Sequence, residues 1–235
     1  MLIDGPLISA TFIDRPNRFI TTVKINGELH KSHLPDPGRL KELLIPGSEL
    51  LVRPARLSEK RKTAYTTIFI KVEGQLISLV STLPNYFIKE ELKNNRLSIF
   101  KNFKLEKPEI IINNHRFDFL LLDDKAKKFY LEVKSVTYVE NRIAKFPDAI
   151  TDRGRRHALA LMDLVTKGER AGILFVCQRS DADLFMPMWE RDSKFSKALL
   201  NAYEKGVKVW CITLNISRNE ITFNKEIPVK LELSN

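Results

Sequence analysis

Residues 116–136 read Arg116-Phe117-Asp118-Phe119-Leu120-Leu121-Leu122-Asp123-Asp124-Lys125-Ala126-Lys127-Lys128-Phe129-Tyr130-Leu131-Glu132-Val133-Lys134-Ser135-Val136. Two short apolar runs flank the polar Asp123-Asp124-Lys125, which predicts paired strands over 117–122 and 129–136. A hairpin centred on Lys125 places Asp118 directly across from Glu132. Period-two alternation then puts Lys134 on the same face, with Phe117, Phe119, Leu121, Phe129, Leu131 and Val133 on the other. Ionised groups rarely interrupt buried strands, because each is costly to desolvate unless paired or metal-bound. Two facing carboxylates repel unless a cation lies between them, and their hard oxygens suit Mg²⁺ or Mn²⁺. Lys134 is placed to favour negative charge developing on a phosphate, or to orient a water. Metal would lower the pKa of a bound water and stabilise the transition-state charge, so the set fits phosphodiester cleavage. The structural alternative is a cross-strand ion-pair cluster, Asp118–Lys134–Glu132. A third carboxylate upstream would complete a metal site, and spacing leaves Glu106 and Glu109 both available.

Outward from this hairpin, residues 86–235 have an α/β rhythm. A short helix is expected over 86–97. A longer one is expected over 152–167, with Ala158, Leu161, Met162 and Val165 at i, i+3, i+4, i+7 and Gly168 placed to end it. A buried strand over 172–177 follows. A second helix carries Phe195, Ala198, Leu199, Ala202 and Tyr203 on one face, and a strand over 207–214 comes after Gly206. The first 85 residues instead read as short strands over 7–13, 18–25, 28–32, 49–52, 64–72 and 76–80, with a helix-like piece at 39–44. Asn26-Gly27 is a strong hairpin signal. Several strands with one brief helix predict a small closed barrel of OB type. Leu83-Pro84-Asn85 marks the expected boundary, giving domains 1–85 and 86–235 and an α+β fold overall.

The 235-residue chain carries a formal net charge of +10 and a pI near 9.6, which favours a polyanionic partner such as DNA or RNA. Arg53, Arg56, Lys60, Arg61 and Lys62 form a basic stretch with Tyr65 and Phe69 nearby, suited to a phosphate backbone with stacked bases. Arg18, Arg39 and Asn85 are weaker additions that would equally tie turns. Arg153, Arg155 and Arg156 open the 152–167 helix beside the carboxylates, where a helix N-terminus also favours phosphate. Thr151 or Asp152 would cap that helix, and Asp148 would assist the metal or hold Arg153. No apolar run reaches the roughly 20 residues needed to cross a bilayer, and no secretory signal opens the chain, so no membrane partner is expected. Cys177 and Cys211 lie in apolar runs, as core residues of a reducing cytoplasm. The four histidines form no ligand cluster by spacing.

Several stretches resemble the sugar fermentation stimulation protein A family. They are 116–120, 132–137 and 146–154, with His33-Leu34-Pro35, Gly38-Arg39, Arg61-Lys62-Thr63 and Pro84-Asn85 upstream. The resemblance runs in order along nearly the whole chain. It implies an N-terminal OB-like nucleic-acid-binding domain followed by a restriction-endonuclease-like α/β domain of the PD-(D/E)XK type, with a mixed central sheet. The family's nuclease motif carries over to Asp118, Glu132 and Lys134, and its upstream Glu to Glu109, with Glu106 in reserve. Asp118, Glu132 and Glu109 would hold the metal. His115 stands where the family often has Ser, and Asp36-Pro37 where it has Asn-Thr. A homodimer is compatible with the resemblance, since many restriction-like nucleases pair their active sites. The alternative is a non-catalytic DNA-binding regulator of sugar-metabolism genes.

Overall fold

Asn26 and Gly27 both have positive φ (50° and 90°), the geometry a tight two-residue hairpin demands. They join β2 (Ile20–Ile25) to β3 (Glu28–His33), two neighbouring strands of a barrel in a computed structural model that describes residues 1–55 and 62–233. β1 (Ile8–Asn17) pairs antiparallel with β2 and with β4 (Glu49–Pro54), which pairs with β5 (Tyr65–Val72), and β6 (Gln75–Ser78) follows on β5. Parallel pairing of β3 with β5 closes the ring. Near that seam Thr67 Oγ1 lies 2.9 Å from Thr21 Oγ1 and 2.8 Å from Ser32 Oγ. These buried hydroxyls satisfy one another. Phe12, Val23, Leu34, Leu40, Leu50, Val52 and Ile70 fill the interior.

The helix-like piece expected at 39–44 is a single turn. Leu40 has φ 52° and is fully buried in the barrel core, and a left-handed residue cannot continue a right-handed helix. Helix α1 (Leu83–Lys93) starts and stops earlier than expected. Pro84 sits in its first turn, where a missing N–H costs nothing, and Asn95 at φ 51° lies just past its end.

The second sheet runs β15-β14-β12-β9-β8-β7. Its strands are β7 (Phe103–Ile112), β8 (His115–Asp123), β9 (Lys128–Val136), β12 (Ala171–Cys177), β14 (Lys208–Ile216) and β15 (Ile221–Ile227). β12 is parallel to β9 and β14, and the outer pairings are antiparallel. The small strands β10 (Val139–Glu140), β11 (Ile143–Phe146) and β13 (Leu184–Pro187) form a side sheet. Helices α2 (Asp152–Thr166) and α3 (Ser193–Glu204) cover one face with Leu161, Ala158, Phe195 and Leu199. On the other face, Phe87 and Ile88 of α1 and Leu51, Ile68 and Phe69 of the barrel join Leu131, Val133 and Leu174 in one apolar cluster. The barrel therefore docks on the sheet through a continuous core. Cys177 and Cys211 are free and buried. Among the described residues no helix is long and apolar enough to cross a membrane.

β7 and β15 have no counterpart in the sequence reading. Both are edge strands, with one neighbour each, so Pro108 is tolerated in β7 and alternation is weak.

Candidate active site

The β8–β9 ladder pairs Phe119 with Leu131 through to Leu122 with Lys128, the register expected from the hairpin. It ends one pair short of Asp118 and Glu132. There the Asp118 carboxylate takes over, accepting the Val133 N–H on Oδ2 at 2.7 Å and the Asn85 side-chain amide on Oδ1 at 2.6 Å. The alternation of β8 does not pass through this break. Phe117, expected beside Phe119, instead packs with Tyr130, Ala158 and Leu161 on the α2–α3 side, whereas Phe119 and Leu121 face α1. Asn85, read as a turn tie, orients Asp118.

Glu132 is 3% exposed, and its Oε1 accepts both Lys134 Nζ and His157 Nδ1 at 2.5 Å. Its Oε2 is buried with no hydrogen-bond partner. Burial opposes ionisation of Glu132, but Lys134 and His157 outweigh it and hold the carboxyl below its ordinary pKa. Asp118 goes the other way. Burial first, then the Glu132 charge, pushes it up to about 7 against the pull of Val133 N–H, Lys134 and Asn85.

β7 supplies Glu109, whose neighbours Pro108 and Ile110 pair with Phe119 and Phe117. That register sets Glu109 opposite Asp118. Yet Glu109 has φ 55° and a side chain 68% exposed, 3.9 Å from Arg116. Glu106 lies at a bulge on the same strand and is exposed. Among the described residues no set of three His, Cys, Asp or Glu side chains is arranged to hold a metal ion. Asp118 and Glu132 thus stand together without a third carboxylate among the described residues, and Glu109 lies on the wall of a cleft of about 420 Å³ that also receives Asn85, Tyr86, Lys89, Asp118 and Arg153. The partner-free Oε2 of Glu132 and the oxygen donors of Asp118 fit a hard divalent cation, because a buried carboxylate oxygen without a donor is otherwise costly.

The basic residues divide among several surfaces. Arg153 is exposed in this cleft. Arg156 lines a separate hollow with His115 and Asp163. Arg155 lies 4.0 Å from Asp152. Thr151 caps α2, accepting the Gly154 N–H at 3.0 Å. Arg18 borders a neighbouring cleft of about 340 Å³ with Ser135, Thr137 and residues 146–151, and Ser81 borders both clefts. Arg53 is half-buried near the N-terminal segment, and Lys62 is exposed. Arg61, with Arg56 and Lys60, lies outside the described residues. Phe69 is fully buried, so it cannot stack a base, and Tyr65 meets His30 edge-on at 5.3 Å. The exposed aromatic at the carboxylate cleft is Tyr86, 65% exposed.

Two further side chains escaped the sequence reading. His157 occupies the buried stripe of α2 with Gly154, Ala158 and Leu161, and a polar residue on an apolar stripe was its only signal. Arg15 donates to the carbonyls of Gly38, Arg39, Arg18 and Asp36 at 2.7–3.2 Å, shaping the loop that meets the second sheet's domain. Asp148, read as a metal or Arg153 partner, accepts the Arg39 N–H from that loop at 2.9 Å. A Cβ on Gly38 would lie 2.6 Å from Asp148 Oδ2 and 2.9 Å from Asp36 Oδ1. Gly38→Ala is therefore expected to cost about 1–3 kcal/mol by overpacking, read as a lower midpoint in thermal unfolding. An unchanged midpoint would show that the seam absorbs the methyl.

Residues 13–79 match the family model for the SfsA N-terminal OB domain, and residues 82–220 match that for the sugar fermentation stimulation protein RE domain. A sugar fermentation stimulation protein homolog of Clostridium tetani is 39% identical over 98% of this chain and 100% of its own length. One of Clostridium novyi is 40% identical over 96% and 98%. The structure of Pyrococcus furiosus SfsA in complex with Ca²⁺ superposes with a TM-score of 0.88 at 27% identity, covering 98% of both chains. The barrel and the mixed sheet thus agree with these matches along both parts of the sequence, and the chain belongs to the sugar fermentation stimulation protein (SfsA) family.

Proposed function

We propose that this protein binds nucleic acid and cleaves its phosphodiester bonds with Mg²⁺ or Mn²⁺. The observation that carries the reading is the Glu132 carboxylate, buried with one oxygen free, beside Asp118 and Lys134 at the break in the β8–β9 ladder. Asp118 and Glu132 would hold the ion, with Glu109 on the cleft wall as the further carboxylate. The bound ion would supply charge stabilisation and an acidified water. Lys134, 13% exposed, keeps its ammonium beside the carboxylates, where it would neutralise charge on the attacked phosphate. Asn85 and the Val133 N–H hold Asp118 in one rotamer. Arg153 and Lys89 line the same cleft and would grip flanking phosphates, and the OB barrel with Arg18, Arg39, Arg53 and Lys62 would hold the strand further out. The Ca²⁺ complex of the P. furiosus relative supports a hard-cation site in the family.

A second reading is favoured by one feature. Glu109 is exposed and paired with Arg116 rather than gathered with Asp118 and Glu132, as a DNA-binding regulator that has lost turnover would allow. Gel-shift titrations at several salt concentrations, run beside cleavage assays in Mg²⁺, Mn²⁺ or EDTA, separate the two. Salt-sensitive binding with metal-dependent products supports the nuclease. Salt-sensitive binding with intact substrate in every metal supports the regulator.

A further inference from the structure

Both donors to the Glu132 carboxylate converge on one oxygen. Lys134 Nζ and His157 Nδ1 each lie 2.5 Å from Oε1, and Oε2 has none. An ionised carboxylate can only accept, so Nδ1 of His157 carries the hydrogen. The ring is held firmly: His157 is 5% exposed, with the Phe117 ring at 5.8 Å and the His115 ring at 6.2 Å, both edge-on. It belongs to the second turn of α2, whose start is fixed by the Thr151 cap. Lys134 sits differently, on a flexible four-carbon stem whose ammonium can rotate among acceptors.

This asymmetry has a use if the site works as proposed above. A lysine that turns towards a substrate phosphate leaves Glu132. With Lys134 as sole donor, that departure would strand a buried oxygen and release the carboxylate from its rotamer. We propose that His157 is a positioning residue that fixes Glu132 independently of Lys134, keeping Oε2 free for a divalent cation while Lys134 engages the phosphate. The inference rests on the metal-site reading of Asp118 and Glu132.

Mn²⁺ binding, measured by calorimetry on the full chain without nucleic acid, tests it. Wild type is expected to bind and Asp118→Asn to lose binding. His157→Leu keeps an apolar body against Phe117 but offers no donor, and it should weaken Mn²⁺ about 10- to 100-fold, the usual effect of removing a partner that orients a ligand. His157→Asn places an amide N–H near the position of imidazole Nδ1 and should recover most of that loss. His157→Gln, whose amide falls near Nε2 instead, should not. Lys134→Ala should leave Mn²⁺ affinity within a few-fold of wild type, because His157 still pairs Oε1. Thermal melts report folding, and should His157→Leu fail to fold, the comparison of His157→Asn with His157→Gln decides. Wild-type affinity in His157→Leu, or no advantage of His157→Asn over His157→Gln, overturns the role. Absence of Mn²⁺ binding by the wild type overturns the metal site and this inference together, whereas loss in Asp118→Asn alone leaves the metal site standing.

Discussion

Lys134→Ala is expected to reduce metal-dependent cleavage by about 10²–10³, the cost of removing one preorganised donor from a water-poor site, with nucleic-acid binding retained. Lys134 is poorly placed to be a long-range anchor. It is 13% exposed and bonded to a buried carboxylate, so it contributes little to the outer field that captures a polyanion. Its contribution would be local, at the point where charge develops on the phosphate. Rates under single-turnover conditions, together with the dissociation constant in EDTA, measure the two effects separately. A fall in binding that matches the fall in rate would recast Lys134 as a substrate anchor, and an unchanged rate would remove it from the site.

Asp118→Asn is expected to stabilise the metal-free protein at pH 8 and to leave it unchanged near pH 4. The folded-state pKa of Asp118 is raised from 3.8 to about 7, chiefly by burial. Between those values the folded chain keeps a proton that the unfolded chain has lost. Stability from this group is therefore full below pH 3.8 and is lost as pH rises through 7. About three pH units correspond to a penalty on the order of 4 kcal/mol for the ionised form. Asparagine is neutral throughout; its carbonyl can accept the Val133 N–H, and a flip of the Asn85 amide satisfies its NH₂. Glu132 has the opposite sign, since its pKa is lowered. Its contribution is present above the unfolded carboxylate range and is lost as pH falls below it, outside the Asp118 window. Denaturant unfolding in EDTA at pH 4, 6 and 8 reads the Asp118 slope. A variant no more stable than wild type at pH 8 would contradict the burial penalty on the Asp118 carboxylate. Cleavage by the wild type should correspondingly rise with pH as Asp118 becomes available to metal.

The hairpin was legible because turn, register and alternation agreed locally. Asp123-Asp124-Lys125 fixed the turn, and the observed pairs from Phe119–Leu131 to Leu122–Lys128 follow from it. The buried strand β12 and the stripes of α2 and α3 were legible for the same reason, each showing a strong apolar pattern. Phe117 was misplaced because side-chain capping by Asp118 interrupts a ladder, and no periodicity encodes that. Edge strand β7 was missed because its residues pack on one neighbour only and include a bulge, Pro108 and the left-handed Glu109. His157 and Asn85 belong to helices distant in sequence from the hairpin, so only the packing of α1 and α2 on the sheet brings them to Glu132 and Asp118. The aromatic Phe69 was assigned to a surface it does not reach, because the barrel turns that position into the shared core.

The most direct measurement incubates end-labelled single- and double-stranded DNA and RNA with wild-type protein and with Glu132→Gln, in Mg²⁺, Mn²⁺ or EDTA. Metal-dependent products formed by the wild type on at least one substrate, and absent with Glu132→Gln, are the predicted result. Equal products from both proteins, or intact substrate in every metal despite binding, would contradict the assignment of the carboxylate pair as a cleavage site.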